Sequence, residues 1–223
     1  MQRLTATEPA GDPAALAAEV MDRRLLRAGT APLAVAFSGG GDSLALLLAA
    51  RTWALAHGRS LVALTVDHQL QPQSRSWTEA CAAAAADLAV MFQPLRWEGP
   101  KPATGLPAAA RLARHRLLAQ AARDLGARVL LMGHTRDDVL EARRMRAAGS
   151  ATPEPREWAP SPVWPEGRGV FLLRPLLRAR RTDLRAWLSG QGRTWIDDPA
   201  NEDFRYARAR SRARSGAGGR PGR

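Results

Sequence analysis

The sequence contains little cysteine and no long apolar run, and each shortage excludes a class of protein. Cys81 is the only cysteine among 223 residues, so the chain cannot build a disulfide framework or a paired-thiol metal or redox site from its own residues. No apolar run reaches the ~18 residues that a membrane span needs. Charged residues and prolines interrupt the N-terminal stretch, where a signal peptide needs a continuous apolar segment. We therefore expect a cytoplasmic protein with no membrane partner.

Lysine is equally scarce, because Lys101 is the only one, yet the chain is strongly basic. Its formal net charge is +12, and almost all of the positive charge is arginine. Such a charge predicts a polyanionic partner, of which nucleic acid is the commonest. Thirteen arginines and only five acidic residues lie from Arg174 onward. The basic surface is therefore expected in the C-terminal third of the chain.

Strand and helix patterns alternate along the sequence. Short apolar runs bounded by turn residues predict strands at 32–37, 60–66, 90–97, 127–133 and 169–173. Helical patterns lie between them at 44–57, 76–88, 107–125 and 137–147. This alternation predicts an α/β fold, an open parallel sheet of about five strands with helices on both faces, plus a basic helical C-terminal segment. In such sheets, ligands bind beyond the carboxyl ends of the strands, where the strand order reverses.

A glycine-rich turn joins the first predicted strand to the first long helix. Its residues are Ser38, Gly39, Gly40, Gly41, Asp42 and Ser43. Glycines let the backbone approach a phosphate, and the amides at a helix N-terminus bind anions. A Walker A loop is excluded because the turn has no lysine, and a dinucleotide fingerprint requires a glycine where Leu44 stands. The alternative is a tight turn whose serine or aspartate caps the helix.

Ionisable residues follow the fourth predicted strand. They are Gly133 with its neighbour His134, then Asp137, Asp138 and Glu141. Asp137 and Glu141 are four residues apart and share one helix face. Two carboxylates beside a phosphate site indicate Mg²⁺, which prefers oxygen ligands and substrate phosphates. The alternative is structural, since Thr135 and Asp138 have the spacing of a capping box.

Two other positions have both a structural and a functional interpretation. Asp67 and His68 follow the second predicted strand, where a histidine is more often a turn residue than a ligand. Arg111 and Arg114 lie about one turn apart on a predicted helix. They form either a solvated basic face or a pair of guanidinium groups that bind phosphate and stabilise its negative charge.

The turn after the first strand resembles the Ser-Gly-Gly-x-Asp-Ser signature of the PP-loop ATP pyrophosphatases. Further segments are similar to those of the tRNA(Ile)-lysidine synthetase family and occur in the same order, over residues 32 to 212. They are VAFSGGGDSLALL, VDHQLQPQS, AARLARHRLLA, GHTRDDVLEA, LRPLL and WIDDPANEDFRYARARSR.

The resemblance implies ATP-dependent ligation of free L-lysine to the wobble cytidine of a tRNA(Ile) with a CAU anticodon. The cytidine is first adenylated, and AMP and pyrophosphate are the other products. The implied cofactors are ATP and Mg²⁺. The implied ATP-binding residues are Ser38, Gly39, Gly40, Gly41, Asp42, Ser43, Asp67, His68, Gly133 and His134. The implied metal ligands are Asp42, Asp137 and Glu141, and the implied catalytic residues are Asp42, Asp137, Arg111 and Arg114.

The basic C-terminal third is the predicted tRNA-binding surface. Its candidate residues are Arg178, Arg181, Arg205, Arg208, Arg210 and Arg212. With the resemblance, the expected organisation is an N-terminal helix in 1–30, a PP-loop domain in 31–178, a tRNA-contacting segment in 179–214 and a flexible tail in 215–223. Many relatives carry further C-terminal domains, and we expect this chain to lack them. The sequence leaves the oligomeric state open, with a homodimer as one option.

Several positions depart from the family pattern. Val139 replaces a glutamine, His115 replaces a tyrosine, and Ala209 replaces an asparagine. A tRNA thiolase is a rival within the superfamily, but such enzymes generally use cysteine pairs or a cluster. A small-molecule ligase of the NAD-synthetase kind would leave the basic C-terminal third unexplained. A nucleotide-binding or RNA-binding protein without catalysis is the rival from a different class.

Overall fold

The computed structural model describes residues 12–26, 29–151, 153–159 and 167–197. Its helices are α1 Pro13–Arg24, α2 Gly41–Ala56, α3 Ser74–Asp87, α4 Leu106–Asp124, α5 Arg136–Ala147 and α6 Arg181–Gly190. Its strands are β1 Leu33–Ala36, β2 Leu61–Asp67, β3 Met91–Arg96, β4 Val129–Met132, β5 Trp158–Ala159 and β6 Phe171–Leu173. All five predicted strands and all four predicted helices form, with boundaries shifted by a few residues.

The strands form one sheet in the order β3-β2-β1-β4-β6-β5. All neighbouring strands pair in parallel except β5, which runs antiparallel to β6 at the edge. The predicted α/β fold with an open parallel sheet is thus confirmed, with two differences: the sheet has six strands where about five were expected, and its edge strand β5 is antiparallel. The additional strand β5 has two residues, too few to produce a recognisable alternation in sequence. It pairs with β6, and the Trp158 ring stacks on Phe171 with 5.1 Å between centroids.

Side chains of the central strands alternate between two apolar cores, one on each face of the sheet. Leu33 and Val35 of β1 pack in a core with helices α1, α2, α3 and α6. Ala34, between them, packs in the other core with Leu118 and its neighbours on α4. Helices therefore cover both faces, as predicted, and the strands are apolar because both of their faces are buried.

The strand order reverses beside β1, which lies between β2 and β4. The chain runs from β1 outward to β2 and β3, and then crosses back to β4 on the other side. Loops after β1 and β4 therefore diverge at their carboxyl ends and leave a crevice, which is the usual ligand position in open α/β sheets. The glycine-rich turn follows β1, and Gly133 and His134 follow β4, so the fold brings both predicted segments to this point.

A search of the described helices finds none that is both long and apolar enough to cross a membrane.

Candidate functional site

The turn after β1 leaves the N-terminus of α2 without a side-chain cap. Gly40 is the N-cap residue, so no side chain accepts a hydrogen bond from the first helical amides. Ser43 instead accepts from the Ser38 amide at 3.2 Å and donates to the Gly40 carbonyl at 2.8 Å. This arrangement contradicts the alternative in which a serine or aspartate caps the helix. Uncapped amides and the helix dipole make the turn suitable for an anion such as a phosphate.

Two glycines, Gly39 in this turn and Gly133 after β4, lie where the packing leaves no room for a side chain. Gly39 has φ of 78°, and a Cβ there would lie 2.5 Å from Cδ1 of Ile196. A Cβ on Gly133 would lie 2.9 Å from the carbonyl oxygen of Asp42. The end of β4 therefore contacts the first turn of α2 directly, backbone against backbone. These close approaches fit a cradle for a phosphate chain, since only glycine permits them.

A segment near the end of the described chain, residues 193–197, covers the same turn. The Ile196 amide donates to the Gly39 carbonyl at 2.9 Å. Trp195 lies 3.5 Å from the position of a Cβ on Gly41, and its indole N–H donates to Asp197 at 3.2 Å. Residues 195–197 begin the segment WIDDPANEDFRYARARSR, which resembles the family, and their contacts link that segment to the glycine-rich turn.

Asp42 forms an ion pair with Arg181 inside the site. The Arg181 Nε donates to Oδ2 of Asp42 at 2.9 Å, and its Nη2 lies 3.4 Å from Oδ1 of Asp138. Burial raises the pKa of Asp42 above its ordinary value, and the charge of Arg181 opposes that shift. Burial lowers the pKa of Arg181, but the charges of Asp42 and Asp138 outweigh it and leave that pKa raised. Arg181 was predicted to bind tRNA; the structure places its side chain against the glycine-rich turn, and its contact with tRNA stays a prediction.

The two adjacent aspartates of α5 each support a helix N-terminus. Asp138 accepts a hydrogen bond from the Thr135 amide at 2.7 Å and completes the predicted capping box. Asp137 accepts from the amide of Arg181 at 2.8 Å, at the first residue of α6. Asp137 therefore has a structural contact that the sequence did not indicate, alongside its predicted role at the metal.

We expect Asp138→Ala to lower the free energy of unfolding by about 1–2 kcal/mol, since it removes the capping-box acceptor. Asp137→Asn keeps an oxygen that can accept from Arg181, so it should change stability by less than about 0.5 kcal/mol. Urea unfolding of both variants measures the difference. Equal destabilisation by the two substitutions would show that the carboxylate charge of Asp137, and not merely its oxygen, holds α6.

The predicted metal ligands do not form a metal cage made of protein alone. Within the described ranges, no group of three or more His, Cys, Asp or Glu side chains could hold a metal ion. Mg²⁺ commonly uses one or two carboxylates and takes its other ligands from substrate phosphates and water. Asp42, in the first turn of α2 beside the uncapped amides, fits that pattern. Glu141 is only 8% exposed on α5, and its assignment as a ligand stays a prediction.

Arginines and histidines surround the crevice on the side of α4. Burial is the largest of the causes that lower the pKa of His134 well below its ordinary value. The nearby positive charges of Arg174, Arg114 and Arg111 lower this pKa further. Burial and the same arginines lower the pKa of His115 to about 3. The structure thus brings the predicted Arg111, Arg114 and His134 together. Arg174 contributes to the same cluster, although the sequence placed it only on a general basic surface.

Asp67 and His68 are adjacent to this cluster, at the end of β2. Asp67 accepts from the Gln69 amide at 2.8 Å, as a turn residue does. His68 packs edge-on against Trp97 with 5.9 Å between ring centroids. Burial and the charge of Arg114 lower its pKa. The turn interpretation of His68 and the predicted nucleotide contact of both residues stay predictions.

Acid should destabilise the fold through the partly buried His115. The pKa of His115 is near 3 in the folded chain and 6.5 for an ordinary histidine, so the unfolded chain binds more protons between these values. The contribution of neutral His115 to the free energy of unfolding is therefore fully present above pH ~6.5 and is lost as the pH falls below that value. His115→Gln should reduce the loss between pH 7.5 and pH 5 by about 1–2 kcal/mol. Urea unfolding at the two pH values tests this, and an unchanged loss in the variant would contradict it.

The predicted tRNA-binding arginines lie largely outside the described residues. Arg205, Arg208, Arg210 and Arg212 all do so. Arg178 is described, and its exposed guanidinium lies 3.7 Å from Glu19. Arg178 and Arg181 are therefore the described candidates for RNA contact, and the role of each stays a prediction.

The sheet, with its glycine-rich turn and an uncapped helix N-terminus at the reversal of strand order, defines an α/β protein of the kind that binds ligands at this edge. A family model described as the PP-loop domain matches residues 16–215. The chain belongs to this PP-loop domain family, which binds ATP. The family predicted from the Ser38–Ser43 turn is therefore confirmed.

The chain is also similar to curated proteins named tRNA(Ile)-lysidine synthase. It is 60% identical to the Caulobacter vibrioides protein over 193 residues, which cover 86% of this chain and 47% of that protein. It is 46% identical to the Hyphomonas neptunium protein over 81% of this chain and 50% of that protein. It is 42% identical to the Rhizobium meliloti protein, with 89% and 47% covered. These identities confirm the predicted resemblance, and the chain spans about half the length of these relatives.

Solved structures confirm the fold class. The U34-tRNA thiolase of Methanococcus maripaludis superposes with a TM-score of 0.71 at 15% identity, covering 84% of this chain and 65% of the other. An NH3-dependent NAD synthetase from Campylobacter jejuni superposes with a TM-score of 0.54 at 11% identity, covering 91% and 79%. At such low identity the likeness concerns the fold alone.

Proposed function

We propose that this chain activates the wobble cytidine of a CAU-anticodon tRNA(Ile) with ATP and joins L-lysine to it. The observation that carries the proposal is Asp42 at the uncapped N-terminus of α2, where it forms an ion pair with Arg181. Similarity to lysidine synthases over most of the chain supports the choice of substrate.

The residues of the turn would bind the phosphates of ATP. The first amides of α2 and the Ser38 hydroxyl are hydrogen-bond donors, and glycine at position 39 lets the chain turn closely. Arg111 and Arg114 would offset the negative charge that develops as pyrophosphate leaves. Bound Mg²⁺ would supply Lewis-acid stabilisation of the phosphates, and Asp42 is its proposed protein ligand, with Asp137 and Glu141 as further candidates.

Activation by ATP solves a chemical problem of the reaction. The 2-carbonyl oxygen of cytidine is a poor leaving group, and transfer of AMP to that oxygen converts it into a good one. The lysine amine then displaces AMP from the ring carbon. The site needs donors for phosphate and a way to admit one splayed base, and we place both at the carboxyl ends of β1 and β4, where open α/β sheets bind their ligands.

The basic C-terminal third would bind the anticodon stem-loop. Arg178 is exposed, and Arg205, Arg208, Arg210 and Arg212 follow the 193–197 segment in sequence. Because that segment contacts the glycine-rich turn, RNA held beyond it would lie near the nucleotide. Contacts with phosphates would make the affinity for tRNA strongly salt-dependent.

Thiolation is not favoured as an alternative. Cys81 is the only cysteine of the sequence, and it is 1% exposed in the apolar core. Burial raises the pKa of its thiol to about 11, so the reactive thiolate is scarce at neutral pH.

The proposal is tested by analysing the product nucleosides. The chain is incubated with ATP, Mg²⁺, isotopically labelled lysine and a tRNA(Ile) transcript bearing CAU, and the digested RNA is examined by mass spectrometry. A labelled lysine–cytidine adduct is expected. The matched control is the same transcript with UAU, which has no wobble cytidine and should give none. Consumption of ATP without an adduct on either transcript would contradict the proposal.

A further inference from the structure

We propose that Arg174 is a positioning residue that fixes His134 as the imidazole tautomer with its proton on Nε2. His134 would then serve the site as a neutral hydrogen-bond donor, and its Nδ1 would be unable to act as a general base. The functional half of this inference rests on the proposed function, whereas the tautomer itself does not.

The assignment follows from the donor chemistry of a guanidinium group. Nε of Arg174 lies 3.0 Å from Nδ1 of His134. A guanidinium has only donors, so the ring nitrogen opposite it must be the acceptor. A neutral imidazole with Nδ1 as acceptor carries its proton on Nε2.

Arg174 is held so that it cannot easily turn away. Arg174 directly follows strand β6 and is only 7% exposed. Its Nη1 donates to the Arg156 carbonyl at 2.7 Å, and its own amide donates to the Glu157 carbonyl at 2.8 Å. Burial and then Arg111 lower the pKa of Arg174 to about 10, so the group stays charged at neutral pH. Arg174 therefore remains a charged hydrogen-bond donor to His134 at neutral pH.

The surroundings also keep His134 neutral. Burial, followed by the charges of Arg174, Arg114 and Arg111 and by His115, disfavours a second proton on the ring. Arg174 approaches from the end of β6, and the other three groups belong to α4. His134 directly follows Gly133, where an added Cβ would lie 2.9 Å from the carbonyl oxygen of Asp42. A neutral donor at the end of β4 can bind a phosphate or base oxygen without adding charge.

Nuclear magnetic resonance measures the tautomer directly. In protein labelled with ¹⁵N-histidine, the His134 signals are identified by their loss in His134→Gln. Between pH 6 and pH 8 we expect an unprotonated Nδ1 and a protonated Nε2. A protonated Nδ1 would overturn the inference, whatever the activity of the protein. This measurement needs no variant of Arg174 and is independent of folding defects that such a variant causes.

Arg174→Met keeps the aliphatic length and removes the donor, so the His134 tautomer should become mixed. The rate constant of pyrophosphate release should fall about 10- to 100-fold, the usual effect of losing a residue that orients a functional histidine. The KM for ATP should change less than threefold. Arg111→Met is the matched control for charge, since it removes a neighbouring guanidinium and should leave the tautomer intact.

The outcomes separate the two proposals. An unchanged tautomer and rate in folded Arg174→Met would overturn the positioning role. If the parent chain shows the Nε2 proton but does not adenylate tRNA, the tautomer assignment stands and the proposed function fails.

Discussion

Asp42→Ala is expected to lower the rate of pyrophosphate release at least about 10²-fold, the scale for losing one preorganised electrostatic group. Asp42 lies in the first turn of α2, beside the amides that would bind phosphate, and it is the proposed ligand of Mg²⁺. Its loss leaves Arg181 paired with Asp138, so the protein should remain folded. The measurement is single-turnover pyrophosphate release with tRNA and saturating ATP.

Asp138→Ala is the matched control, because Asp138 is the other carboxylate that contacts Arg181. It should lose stability and keep the rate of pyrophosphate release within about threefold, since Asp138 is engaged in the capping box. Equal losses of rate in the two variants would mean that the Arg181 contacts as a whole, and not the carboxylate of Asp42, carry the effect. A normal rate in Asp42→Ala would contradict its catalytic assignment.

The second large effect is expected from Gly39→Ala. The alanine must adopt φ of 78° and place its Cβ 2.5 Å from Ile196 and 3.0 Å from the Cys81 sulfur. Backbone strain and overpacking each cost roughly 1–3 kcal/mol. We therefore expect a loss of about 2–4 kcal/mol in the free energy of unfolding, with weakened ATP binding in the protein that remains folded. Urea unfolding and ATP titration measure the two effects.

Gly58→Ala separates the strain from the clash. Gly58 has φ of 59°, and no atom lies within 4 Å of the position of its Cβ. This variant should cost only the strain, roughly 1 kcal/mol. Ile196→Ala should recover part of the stability lost in Gly39→Ala when the two are combined. Equal costs at positions 39 and 58 would show that the 193–197 segment does not pack on the turn as described.

The sequence was sufficient to predict the sheet and to bring the segments of the candidate site to one edge of it. Buried parallel strands are continuous apolar runs such as the one around Val35, and a glycine-rich turn before a helix is a strong local signal. The capping box at Thr135 and Asp138 is equally local, and it forms as expected. Residues that follow parallel strands meet at one edge of the sheet, so the proximity of Asp42 and His134 could be anticipated.

Contacts between distant segments could not be predicted in the same way. No local pattern distinguishes Arg181 from Arg178 and Arg180, yet only Arg181 is shown to contact Asp42. Its position depends on how α6 packs beside α2, which is a property of the complete fold. The hydrogen bond between Arg174 and His134 likewise joins residues 40 positions apart.

Exchange of labelled pyrophosphate into ATP tests the central claim most directly, because adenylation of the cytidine is the step assigned to the glycine-rich turn. The chain should catalyse exchange with the CAU transcript in the absence of lysine, and neither with the UAU transcript nor in Asp42→Ala. Added lysine should divert the reaction from exchange to release of AMP. Exchange that proceeds without tRNA, or that Asp42→Ala retains in full, would contradict the account.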